Sequence, residues 1–158
     1  MPKFAEMLDR KAEDIQRPPN TPAGYYVAQI ARAPETGELK QGEYEYLDFP
    51  LALMEPYEDT VDEDELKAFG SVSGQRLSKR FIFPTADDQS ASFERTMFNI
   101  RRLLEGLDIG FSEDGDMSLK QALSECVGAR VVVEVTHREN PNEQGAFFDE
   151  VGRITPEN

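Results

Sequence analysis

The sequence predicts a mainly β chain with helices, of α+β class, in which five strands build the domain and one long helix lies between the third and fourth. Three observations predict it. Residues 43–54 and 76–83 alternate apolar and polar side chains with period two. Residues 89–107 instead space Phe93, Met97, Ile100, Leu104 and Leu107 at helical intervals. Two further strand-like runs, 130–136 and 146–154, flank a polar loop holding Pro141 and Gly145. A chain of 158 residues is most simply one domain with a hydrophobic core.

Taken in order, residues 4–16 read as a short helix, because Phe4, Leu8, Ala12 and Ile15 share one face. The prolines at 18, 19 and 22 stop it. Residues 1–22 thus form a helical arm and a Pro-rich linker, which packs on its own domain or docks on a neighbouring subunit. Residues 23–155 form the domain proper. Its first strand spans 25–33 and is followed by a turn at Pro34-Glu35-Thr36-Gly37. In the second strand, 43–54, Leu47, Phe49, Leu51 and Leu53 take one face, and Tyr44, Tyr46 and Asp48 the other. Pro50 inside that run implies a bulge or a sheet edge, since proline cannot donate to a ladder.

Residues 55–75 read as an exposed acidic insertion. Seven of the eleven residues from 55 to 65 are Asp or Glu, and none is basic. The third strand, 76–83, puts Arg76, Ser78, Arg80 and Ile82 on one face and Leu77, Lys79, Phe81 and Phe83 on the other. Asp87 and Asp88 are N-cap candidates for the long helix. Ser118 and Gln121 suggest a capping box for a short helix that turns Leu119, Ala122, Leu123 and Cys126 to the core, with Gly128 closing it. Cys126 reads as a small buried apolar residue.

Composition excludes several functions. One cysteine and one histidine leave no disulfide, no zinc set and little room for a nucleophile triad. There is no P-loop, HExxH, CxxC or GxSxG motif. The acidic groups do not follow the EF-hand spacing. No cofactor and no enzymatic activity are expected. No apolar run is long enough to cross a bilayer, and the charged N-terminus lacks the apolar centre of a signal peptide, so the chain is expected to stay where it is made, without a membrane partner.

Charge distribution points to a binding role. The chain carries a net −14, yet residues 76–102 hold six basic side chains against three acidic ones. A local basic groove can coexist with an acidic surface. Single strands are bound by stacking bases on aromatic rings while cations follow the phosphates. The residues fitting that role are Tyr44, Tyr46, Arg76, Lys79, Arg80 and Phe81. Arg130 and Arg138 extend the track through the last hairpin, beside His137. The acidic run at 55–65 is placed to lie across this groove until DNA displaces it.

Five strands with a helix between the third and fourth match an OB-like barrel, whose open end the helix would plug; a two-layer α+β sandwich uses the same elements. The stretches Pro22-Ala23-Gly24-Tyr25-Tyr26-Val27, Ile100-Arg101-Arg102-Leu103-Leu104, Val127-Gly128-Ala129-Arg130 through Val135, His137-Arg138 and Phe147-Phe148-Asp149-Glu150-Val151 occur in this order. On these, residues 22–155 resemble bacteriophage-encoded OB-fold proteins of the single-stranded-DNA-binding type. The resemblance implies a role in phage DNA replication or recombination in the cytoplasm of a bacterial host. The implied partners are single-stranded DNA, replication or recombination proteins, and further copies of the chain, joined by sheet edges or the arm. It assigns no individual contact residues. Two other readings fit the same features: a structural or accessory phage protein using an OB-like domain for protein contacts, and an acidic DNA mimic, which the basic stretch at 76–102 disfavours.

Overall fold

The computed structural model describes Leu8 and residues 19–84, 91–111 and 116–157. Apart from Leu8, the expected helix at 4–16 lies outside the described residues, as do the N-cap candidates Asp87 and Asp88.

Six strands, all paired antiparallel, form one sheet: β1 Gly24–Ile30, β2 Glu35–Leu39, β3 Tyr44–Pro56, β4 Arg76–Pro84, β5 Arg130–Glu139 and β6 Phe147–Pro156. The helices are α1 Glu63–Phe69, α2 Ala91–Gly106 and α3 Leu119–Glu125. The α+β class stands as expected. The strand order β4-β3-β1-β5-β6 places β2 beside the first half of β3, on the edge that β1 takes along the second half.

Two expectations need correction. The first concerns strand number. The segment expected as a turn, Pro34–Gly37 by sequence, starts β2, and the reversal moves on to the Lys40–Gly42 turn. That turn uses positive φ at Lys40, Gln41 and Gly42. Glu35–Leu39 has no apolar alternation to betray it; it is an exposed strand held by its ladder to β3. The second concerns closure. No backbone ladder joins β4 to β6, so the sheet is curled but not closed into a barrel. What spans the seam is a side chain: Lys79 of β4 donates to the carbonyls of Gly152 at 3.0 Å and Val151 at 3.4 Å.

Pro50 shows why β3 changes partners where it does. β2 pairs up to Asp48 and β1 begins at Leu51, so Pro50 falls in the gap. Its carbonyl accepts from the Ala31 N–H at 2.9 Å, and its missing N–H faces no ladder partner on that side.

The core lies between the inner face of the sheet and the helices. Tyr26, Ile30, Phe49, Leu51, Leu53, Ile100, Leu104, Val131, Val133 and Val135 are fully buried. The expected alternation of β3 is observed, with Leu47, Phe49, Leu51 and Leu53 all buried. Ile100 and Leu104 of the α2 stripe, and Leu107 just past its end, are buried as well, while Phe93 and Met97 are half-buried. Ser118 caps α3 by accepting from Gln121 N–H at 3.1 Å, but the Gln121 side chain turns to Glu125 instead of closing the box. Cys126 is buried, which pushes its thiol up to about 11.

The acidic insertion is not simply a loop. Asp62 caps α1 through Glu65 N–H, Val61 and Val72 enter the core, and Leu66 and Phe69 pack against it. Thr60 Oγ1 accepts from Tyr25 N–H at 3.1 Å. The carboxylates from Glu58 to Glu65 stay exposed on the outside. This segment covers the end of the sheet where β3 stops and β4 starts; α2 follows the other end of β4.

Candidate nucleic-acid interface

Strand β4 divides its side chains as the alternation requires. Arg76, Ser78, Arg80 and Ile82 are exposed on the outer face, and Leu77, Lys79, Phe81 and Phe83 are half-buried on the inner one. The residues expected to bind DNA therefore fall in three places.

On the outer face, Arg80 lies opposite Asp48 and diagonal to Tyr46. Its guanidinium sits 3.9 Å from the Tyr46 ring centre and forks onto both Asp48 oxygens at 3.0 and 2.8 Å. The hydrogen bond to Asp48 raises the already high Arg80 pKa. The Tyr46 ring also lies across Gly37 of β2, where any side chain would collide with the phenol. This stacking surface is thus occupied by the protein's own cation. The Tyr44 ring carries Lys40 at 5.4 Å. Arg76 is exposed and has no ion pair among the described residues.

On the inner face, Lys79 and Phe81 reach the β4–β6 seam. The Lys79 ammonium stands 5.4 Å from the Phe81 ring centre, and Phe81 meets Phe49 edge-on at 5.7 Å. Burial lowers the Lys79 pKa, with Glu150 opposing part of the effect. A cavity of about 390 Å³ opens here between β4, α2 and β6. Arg102 of α2 and Arg153 of β6 line it together with Lys79 and Phe81, and among the described residues no carboxylate does.

Arg130 and Arg138 belong to neither place. They stand at opposite ends of β5, about 26 Å apart along the strand. Arg130 pairs with Glu157 at 3.0 Å and Arg138 with Glu150 at 3.4 Å. His137 has a structural task. Its Nε2 donates to the Thr21 carbonyl at 2.6 Å, while Asp149 accepts from Asn20 and from Thr21 N–H. These bonds pin the end of the linker to the last hairpin. The basic track expected to run through that hairpin is not a continuous surface.

Sequence reasoning missed Arg102 and Arg153. Arg102 reads as a helix-stabilising cation, and its neighbour Arg101 does fill that role with Glu105 at 2.6 Å. Arg153 owes its position to a register shift in the β5–β6 ladder, where Val133 faces Ile154 but Val135 faces Val151. The extra residue of that bulge is invisible to a period-two pattern.

Neither protein-family models nor curated proteins match this chain. Among the described residues, no helix is long and apolar enough to cross a membrane.

Proposed function

We propose that this chain is a non-enzymatic single-stranded-DNA-binding protein of OB-like design, acting in phage DNA replication or recombination in the bacterial host. The observation that carries the reading is strand β4. In a chain of net charge −14 it carries cations on both its faces: outside, Arg76 and Arg80, the latter over Tyr46 of the neighbouring β3, and inside, Lys79 beside Phe81. Aromatic rings beside cations are what unpaired bases on a phosphate backbone require. The connectivity is compatible with it. Leaving out β2, the strands follow in the sequence of an OB barrel, the α2 helix falls between the third and fourth, and the Lys79 bridge stands where the barrel would close.

A labelled oligothymidylate and a duplex of equal length, compared by fluorescence anisotropy over a salt series, test the reading. Preference for the single strand and an affinity that falls with salt are expected. Absence of binding at low salt would reject it. One observation favours a second reading, an accessory phage protein working through protein contacts. Phe147 and Phe148 stand 44% and 46% exposed at the start of β6, two aromatic side chains that a protein partner could cover. Low-salt failure with DNA would leave this reading in place.

A further inference from the structure

We infer that the open seam between β4 and β6 is a phosphate-binding site, which on the DNA-binding reading above holds one nucleotide of the single strand apart from the outer face of β3 and β4.

The seam is built by a conflict in the sheet. The bulge at Gly152–Arg153 breaks the β6 register and turns two β6 carbonyls toward β4. Lys79 answers them with two of its three ammonium protons, at 3.0 and 3.4 Å. The third donor remains for a ligand. Arg102 and Arg153 border the same cavity, and neither has an ion pair among the described residues. Among the arginines of the expected site, Arg80 is neutralised by Asp48, Arg130 by Glu157 and Arg138 by Glu150, while Arg76 has no ion pair among the described residues but stands outside the seam. Three cations border this cavity with no lining carboxylate among the described residues, although the Glu150 charge reaches Lys79, and together they make a locally positive hole in an acidic protein. Such a hole focuses the field on an entering anion.

The lining of this hole suits a phosphate group. Two guanidinium forks and an ammonium together match a tetrahedral anion with several acceptor oxygens. Phe81 supplies an apolar wall beside them, suited to a sugar or base edge. A volume of about 390 Å³ falls in the range of small-ligand sites. An internal phosphodiester, a terminal phosphate and a free nucleotide share this chemistry.

The test uses the full chain and two variants of equal charge. Arg102→Ala with Arg153→Ala removes both exposed seam cations. Lys67→Gln with Lys120→Gln removes two exposed cations elsewhere and controls for net charge. Oligothymidylates with a 5′-hydroxyl or a 5′-phosphate are titrated into each protein. The seam variant is expected to bind about tenfold more weakly near 0.1 M salt, with a salt slope shallower by about 1.4, while the control stays near wild type. Loss with both oligonucleotides places an internal phosphodiester in the seam, and loss confined to the phosphorylated one places a terminal phosphate there. If wild type binds DNA and the two variants behave alike, the seam proposal is overturned and the DNA-binding reading stands. If wild type binds no DNA, that reading fails on its own. The seam is then judged by NMR with inorganic phosphate and thymidine 5′-monophosphate. Saturable shifts at the Lys79, Gly152 and Arg153 amides sustain the site, and unmoved spectra overturn it.

Discussion

The Tyr46–Arg80–Asp48 cluster shows how a plausible binding residue can be occupied by its own neighbours. Arg80 has a ring beneath it and a carboxylate across from it, so an incoming phosphate must compete with Asp48. The pair is partly exposed and contributes only about 0.2–1 kcal/mol to stability. On the DNA-binding reading, Asp48→Asn leaves the fold intact and frees Arg80. Affinity for oligothymidylate near 0.1 M salt is expected to rise about two- to fivefold, with a steeper salt slope. Weaker binding in the same anisotropy assay would show that Asp48 orients Arg80 instead of competing for it. Tyr26 makes a separate residue-scale prediction. Its hydroxyl donates to Pro22 O at 2.6 Å, and burial, aided by the Asp149 and Glu65 carboxylates, pushes the phenol from 10.0 up to about 12. The folded state keeps the proton that the unfolded chain releases near pH 10. This contribution is complete below pH 10 and is lost as pH rises toward 12, with a slope of at most about 1.4 kcal/mol per pH unit. Urea unfolding of wild type and Tyr26→Phe between pH 8 and 11.5 checks the sign. The variant should start about 1 kcal/mol less stable and the gap should narrow with pH; a widening gap contradicts the raised pKa.

At the scale of elements, period-two and helical spacing made β3, β4 and α2 legible from sequence, because each buries one face and exposes the other. The same logic divided Lys79 and Phe81 from Arg76 and Arg80 correctly. It missed β2, whose Glu35–Leu39 residues owe their extended form to a neighbour's ladder and not to burial. It missed the seam, because a bulge changes register without changing composition. The acidic insertion was half legible. Its charges mark an exposed surface, but Val61 and Val72 are two apolar residues in a polar run and gave no periodic signal. What lets this segment dock is Gly24, at φ +144°, whose missing side chain admits the Thr60 carbonyl and the Val61 methyl. Gly24→Ala meets Thr60 O at 2.8 Å and adopts a strained backbone as well. It is expected to cost at least about 2 kcal/mol in urea unfolding and to raise hydrogen exchange across 60–72. An unchanged midpoint would count against docking through this contact.

For the whole molecule, the arrangement of charge matters more than its sum. The acidic segment closes the end of the sheet where β4 begins, and the seam lies further along that strand. Val61 and Val72 are core residues, so removing residues 55–75 would expose the interior and confuse any binding result. Neutralising exposed acids in place separates the two effects. Glu58→Gln, Asp59→Asn and Asp64→Asn together remove three negative charges and spare the Asp62 cap and the buried valines. If the segment repels DNA through space, the gain depends on the Debye length, about 10 Å at 0.1 M salt and about 30 Å at 0.01 M. Oligothymidylate affinity should then rise several-fold near 0.01 M salt, mainly through a faster association rate, and converge on wild type near 0.2 M. If the segment instead lies across the groove as a competitor, dissociation slows and the gain persists at higher salt. Stopped-flow association and dissociation rates at both salts separate these outcomes. No change at either salt would remove the acidic segment from the binding mechanism and leave it the structural cover that its buried valines already make it.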